Sequence, residues 1–163
     1  MVFLGRLVAM KRPQAAIDAF RIVHERLPSA RLWVIGDGPL LSRLLRRAPE
    51  SVGFLGRLPP AELAERLTRA HVLVATSVRE GWGLNVSEAA LCGTPSIAYR
   101  VPGLADSVEA SRGALVEPDP QALASALLDF FAGRLLLQAK TSTVPWPDVA
   151  AAVELRLLEI SAS

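Results

Sequence analysis

Val72-Leu73-Val74-Ala75 is followed, after a short gap, by Arg79-Glu80-Gly81-Trp82-Gly83-Leu84-Asn85-Val86-Ser87-Glu88-Ala89-Ala90, and Cys92-Gly93-Thr94-Pro95 closes the run. The first four residues read as a buried strand, and the stretch from Leu84 to the cysteine reads as a helix. One carboxylate, Glu80, therefore stands where a strand gives way to a helix. Gly81 and Gly83 open the turn, and a second carboxylate, Glu88, lies within the helix. Glycines let backbone N–H groups approach a ligand closely, and a helix N-terminus favours negative charge. At about 1.5 Å rise per residue, Glu88 falls about 7.5 Å along the helix from Gly83. That spacing argues against a shared proton or a shared metal. It suits a ligand with two hydroxyl-bearing groups flanking an anion, as ribose, diphosphate and sugar are arranged.

Working outward, short apolar runs alternate with longer helical patterns. The expected strands are Val2–Gly5, Arg31–Gly36, Val52–Leu55, His71–Thr76, Pro95–Tyr99 and Ala114–Val116. The expected helices are Pro13–Leu27, Pro39–Arg47, Pro60–Ala70, Leu84–Leu91, Leu104–Ala110, Pro120–Gly133 and, after the linker-like Thr141–Pro145, Asp148–Ile160. Pro13, Pro39, Pro60 and Pro120 are placed as first-turn prolines, where the missing N–H costs nothing. Repeated βα units predict an α/β fold: a doubly wound, Rossmann-like parallel sheet of six strands with helices on both faces. In the common strand order 3-2-1-4-5-6, the first and fourth strands flank the point where ligands bind. Their C-terminal ends are Gly5-Arg6 and the stretch from Ser77 to Gly83.

At 163 residues the chain has the length of one domain, 1–163. Its hydrophobic content of 51% and mean hydropathy of +0.32 fit a sheet buried on both faces, with surplus for a docking face. No apolar run reaches the roughly 18 residues of a membrane span. The net charge of +2 gives no case for nucleic acid. The cluster Arg43, Arg46 and Arg47 reads as a solvated face. The single cysteine, Cys92, excludes an internal disulfide, fits a reducing compartment, and reads as a small buried hydrophobe.

Arg6, Lys11 and Arg12 crowd the junction of the first strand and first helix. Cations there oppose the helix dipole unless an anion neutralises them. Arg offers a fork to phosphate oxygens and Lys a point charge. Gly36-Asp37-Gly38 invites a dinucleotide reading, but a third glycine is missing, since position 41 is Leu41, and the motif follows the second strand. A tight turn fits better than a nicotinamide site. Apolar neighbours around Glu88 predict a buried carboxylate in need of donors, for which ribose hydroxyls are suitable. His24 and His71 have no metal-ligating partners, and His71 reads as structural. Trp33 and Trp146 read as core.

Taken together, Phe3-Leu4-Gly5-Arg6-Leu7 with Lys11, the turn Trp33 to Pro39, Val52-Gly53-Phe54-Leu55-Gly56-Arg57-Leu58, the E-x₇-E pair Glu80 and Glu88, and Cys92-Gly93-Thr94-Pro95 resemble the C-terminal, donor-binding domain of family 4 GT-B glycosyltransferases, the retaining "group 1" enzymes. The resemblance covers nearly the whole chain, as one half of a GT-B fold. It implies that Arg6 and Lys11 contact the donor diphosphate, that Glu88 holds the ribose, and that Glu80 holds the transferred sugar. Catalysis would rest on Glu80, Arg6 and Lys11. Gly5 and the backbone of Gly81, Trp82, Gly83 and Leu84 would complete the phosphate cradle, with Gly56, Arg57 and Leu58 near the base. Arg12 departs from the family, which has glycine after the lysine; it adds a phosphate contact or stiffens the turn.

The resemblance further implies a UDP-, GDP- or ADP-sugar as substrate and no separate cofactor or metal. A partner N-terminal domain, absent from this chain, would bind the acceptor, so the isolated domain is expected to be inactive. Its expected setting is the cytoplasm, with peripheral association at the inner membrane face through a full-length enzyme. The rival reading is a non-catalytic module that binds a nucleotide or sugar phosphate.

Overall fold

The computed structural model describes residues 1–139. Along them run β1 (Val2–Leu4), α1 (Pro13–Arg26), β2 (Leu32–Ile35), α2 (Leu41–Leu45), β3 (Val52–Gly56), α3 (Pro60–Arg69), β4 (Leu73–Ala75), α4 (Leu84–Leu91), β5 (Ser96–Tyr99), α5 (Leu104–Ala110), β6 (Ala114–Val116) and α6 (Pro120–Phe131). The strands form one sheet in the order β3-β2-β1-β4-β5-β6, and every neighbouring pair is parallel. This is the doubly wound arrangement expected from the βα alternation. The reversal of strand order falls between β1 and β4.

The two-residue period of each strand divides the apolar residues between two cores. Phe3, Leu32, Val34, Val74, Ile97 and Tyr99 face one side, where α1 contributes Ile17, Phe20 and Val23 and α6 contributes Leu123 and Leu127. Val2, Ile35, Leu73, Ala75 and Ala98 face the other, against Leu67 of α3, Val86 and Ala89 of α4, and Leu104 and Val108 of α5. Adjacent residues of one strand thus serve opposite layers. That explains why the strands read as continuous apolar runs and not as alternating ones.

Pro13, Pro60 and Pro120 open their helices as expected. Pro39 does not. It lies in the turn before α2, which is only five residues long. Only Arg43 of the arginine cluster is helical, although all three are exposed. β4 begins at Leu73, so His71 lies before the strand, exposed, with its ring edge-on to Phe131. Trp33 is half-buried under the Arg66 guanidinium, and Cys92 is half-buried as the residue ending α4. The expected helix Asp148–Ile160, Trp146 and the Thr141–Pro145 linker lie outside the described residues.

Candidate functional site

The loop after β1 is shaped from behind by the turn after β2. Gly5 N donates to the Ile35 carbonyl at 3.0 Å, and Leu7 N to the Asp37 carbonyl at 2.8 Å. Gly36 has φ +130°, and a Cβ there would stand 2.0 Å from the Gly5 carbonyl oxygen. Only glycine lets these two backbones meet. The Gly36-Asp37-Gly38 turn is therefore a support for the neighbouring loop, which accounts for its glycines without a dinucleotide.

From that support the β1 loop runs through a 3-10 turn, Ala9–Lys11, to Arg12, whose left-handed backbone (φ 47°, ψ 49°) joins the turn to α1. Such a conformation costs a non-glycine residue roughly 1–2 kcal/mol. The Arg12 guanidinium lies 5.4 Å from the centre of the Tyr99 ring, a cation–π contact that offsets part of this cost. This contact fits the stiffening role of the two open to Arg12. Tyr99 itself is fully buried, its hydroxyl without a partner among the described residues, and burial pushes its pKa up to about 12 against the opposing pull of Arg12.

The β4 loop comes to meet this one. Val78 N donates to the Met10 carbonyl at 2.8 Å. The Thr76 hydroxyl lies 3.0 Å from the Lys11 carbonyl and 2.9 Å from that of Arg12. Lys11 Nζ donates to Glu80 Oε1 at 2.5 Å, a contact between residues 69 apart in sequence. Ser77 Oγ donates to the same oxygen at 2.6 Å. The ion pair is largely shielded, with the Glu80 side chain 14% exposed. Arg6, by contrast, is exposed and has no ion pair among the described residues.

α4 follows at once. Its N-cap is Gly83, at φ 50°, where a Cβ would stand 2.6 Å from Ser107 Oγ; no side chain caps the helix. Val86 N donates to the Gly83 carbonyl at 2.9 Å, and the N–H groups of Leu84 and Asn85 are left for solvent or an anion. Gly81 has open space where a Cβ would stand. Trp82 is exposed, its indole donating to Ser87 Oγ at 3.1 Å, and Leu84 is exposed beside it.

Glu88 corrects the sequence reading: it is exposed, not buried. Atoms packed on its helix side still withhold water from the carboxylate, and this desolvation raises its pKa above the ordinary value. Gly56, Arg57 and Leu58 lie at the end of β3, two strands from β1 and about 10 Å across the sheet at ordinary strand spacing. Gly56 is half-buried and its carbonyl accepts from Gly36 N at 2.7 Å; Arg57 is exposed. The structure thus brings Gly5, Arg6, Lys11, Glu80 and the start of α4 to one edge, with Glu88 further along α4 and Gly56–Leu58 apart on the flank.

Three participants were missed. Thr76 and Ser77 are buried polar residues at the end of an apolar strand, a signal that was available in the sequence. Asn85 donates to the Leu4 carbonyl at 3.0 Å and ties α4 to β1, a contact that only the fold creates. Among the described residues no cluster of three His, Cys, Asp or Glu could hold a metal. No described helix is long and apolar enough to cross a membrane.

Comparison with known proteins decides the family. The profile of Glycosyl transferases group 1 matches residues 1–132. The chain belongs to this family. The group 1 transferase chain is 33% identical over 129 residues to the GDP-mannose-dependent alpha-(1-6)-phosphatidylinositol dimannoside mannosyltransferase of Mycobacterium tuberculosis, covering 78% of this chain and 34% of that protein. It is 36% identical over 140 residues to the D-inositol 3-phosphate glycosyltransferase of Corynebacterium glutamicum, with coverage of 78% and 34%. The group 1 chain therefore spans about a third of the length of these curated relatives. Its fold matches the pneumococcal O-GlcNAc transferase GtfA, crystallised with UDP and GlcNAc, at a TM-score of 0.74 and 23% identity, over 83% of this chain and 29% of that one. Sucrose-phosphate synthase from Thermosynechococcus elongatus matches at a TM-score of 0.68 and 29% identity, over 82% and 36%. These neighbours are GT-B glycosyltransferases.

Proposed function

We propose that the chain is the donor-binding half of a retaining, family 4 glycosyltransferase, and that its donor is a nucleoside diphosphate sugar. The observation that carries this is the meeting of Lys11 and Glu80 at the strand-order reversal, beside the start of α4, which no side chain caps, and Arg6, which has no ion pair among the described residues. In this reading Arg6 and Lys11 bind the diphosphate together with the backbone N–H groups of Gly81 to Leu84. Positive charge there stabilises the leaving diphosphate. Glu80 accepts hydroxyls of the transferred sugar, and Glu88 those of the ribose. Gly56–Leu58 flanks the base.

The names of relatives support the donor class: one is GDP-mannose-dependent, and a fold neighbour holds UDP. The chain's one-third share of its relatives' length supports a separate acceptor domain, which in the full enzyme would close over the donor. Exposed Met10, Val78, Trp82 and Leu84 fringe the site and would meet that domain. A cytoplasmic setting, at the inner membrane face in the full-length enzyme, belongs to the same proposal.

Calorimetric titration with UDP, GDP, ADP and their sugars, without added metal, tests the reading. At least one nucleoside diphosphate should bind. Affinity that depended wholly on Mg²⁺, or none at all, would count against it.

A further inference from the structure

The Glu80 carboxylate is held from one side only. Lys11 Nζ and Ser77 Oγ both donate to Oε1, at 2.5 and 2.6 Å. Oε2 has no partner among the described residues and is not among the buried orphaned atoms, so it is open to solvent. A free carboxylate turns readily about its last torsion, which is broad and two-fold. Two donors on one oxygen stop that rotation and single out the other as the acceptor for a ligand.

The two donors differ in what a ligand does to them. Lys11 carries its ammonium on a long stem with several rotatable bonds, and a diphosphate at this edge would compete for it. Ser77 is different: it is 2% exposed and part of the chain leaving β4. Its neighbour Thr76, fully buried, anchors the backbone of Lys11 and Arg12 instead. The dipeptide that follows β4 therefore serves both loops, Thr76 the one after β1 and Ser77 its own.

We propose that Ser77 is a positioning residue that keeps Oε1 of Glu80 fixed when Lys11 turns to the diphosphate, leaving Oε2 for a hydroxyl of the donor sugar. This rests on the donor-site reading above and adds which oxygen is used and what holds it. Ser77 then governs recognition of the sugar and not of the nucleotide.

The test titrates the 163-residue chain and its Ser77→Ala, Glu80→Ala and doubly substituted variants with three probe pairs, UDP against UDP-glucose, GDP against GDP-mannose and ADP against ADP-glucose. Ser77→Ala should weaken the nucleotide sugar roughly five- to tenfold, the scale of one hydrogen bond to a charged group, and the bare nucleotide less than about twofold. In the Glu80→Ala background the same substitution should add nothing, because its effect passes through Glu80. Ser77→Cys, close in size but a weak donor, should repeat the selective loss and covers the case in which the alanine variant fails to fold. Equal weakening of nucleotide and nucleotide sugar, or an undiminished effect without Glu80, would overturn the proposal. A wild-type chain that binds no member of any of the three pairs would overturn the donor-site reading, and this inference with it.

Discussion

Glu88 carries a cost that a ribose could repay. Its carboxylate is desolvated on the helix side, its pKa is raised, and it has no protein donor among the described residues. A raised carboxylate pKa means that the folded chain binds a proton more readily than the unfolded one. Its contribution to stability is then greatest below the unfolded value and is lost as pH rises through the folded value. Glu88→Gln should accordingly raise the Tm at pH 7, and the difference from wild type should shrink in acid. The same substitution should weaken nucleoside diphosphate binding by about 1–3 kcal/mol, the scale of hydrogen bonds to a charged group, and leave pyrophosphate binding nearly unchanged. Calorimetry on both ligands and thermal melts across pH check the two halves; equal loss of both ligands would mean that Glu88 acts through the fold.

Tyr99 presents the same linkage at the other end of the pH scale. Burial holds its phenol up to about 12, so stability should fall as pH rises from the unfolded value near 10 towards that figure. Tyr99→Phe removes a buried hydroxyl that has no partner among the described residues. It should be close to neutral at pH 7 and should reduce the alkaline loss of stability, read by thermal melts from pH 8 to 12.

Elements meet here through backbone as much as through side chains. The turn after β2 and the loop after β1 share hydrogen bonds at 2.8 to 3.0 Å, and the Gly36 position has no room for a methyl group. Gly36→Ala should destabilise by about 3 kcal/mol or more, from strain at positive φ plus displacement of the Gly5 carbonyl. Gly81 is the contrast. Nothing lies within 4 Å of a Cβ built there. Gly81→Ala should leave the melting temperature within about 2 °C of wild type, since open-surface changes stay near 0.5 kcal/mol, while weakening diphosphate binding if the N–H groups of this turn face the ligand. Paired melts and titrations separate the two outcomes. A Gly36→Ala chain as stable as wild type would mean that the two loops do not support each other.

For the whole molecule, the question is what a chain spanning about a third of its relatives' length can do. Proximity of donor and acceptor supplies much of the rate in a group transfer, and nothing in the described site has a role as base for an incoming hydroxyl. The isolated chain should therefore bind donor yet transfer sugar no faster than background. An open cleft also admits water, so slow donor hydrolysis is the most expected. Mass spectrometry of the chain incubated with nucleotide sugars and candidate acceptors checks this. Robust turnover would sink the half-enzyme reading.

The order of strands and helices, the parallel sheet and the position of the strand-order reversal were all legible in the sequence. Each rests on pattern: strands buried on both faces are apolar throughout, and α1, α3 and α6 carry proline in their first turns. The segment Glu80 to Glu88 and the cations after β1 could be placed at the same sheet edge, because chain order and strand order together locate both loops. The tertiary structure decided which atoms meet there. It joined Lys11 to Glu80, gave both donors to one oxygen of Glu80, drew Arg12 onto Tyr99, shortened α2 and left Glu88 exposed. Sequence pattern reports what a residue is and how often its kind recurs. Burial and pairing depend on what another element, many residues away, lays over it.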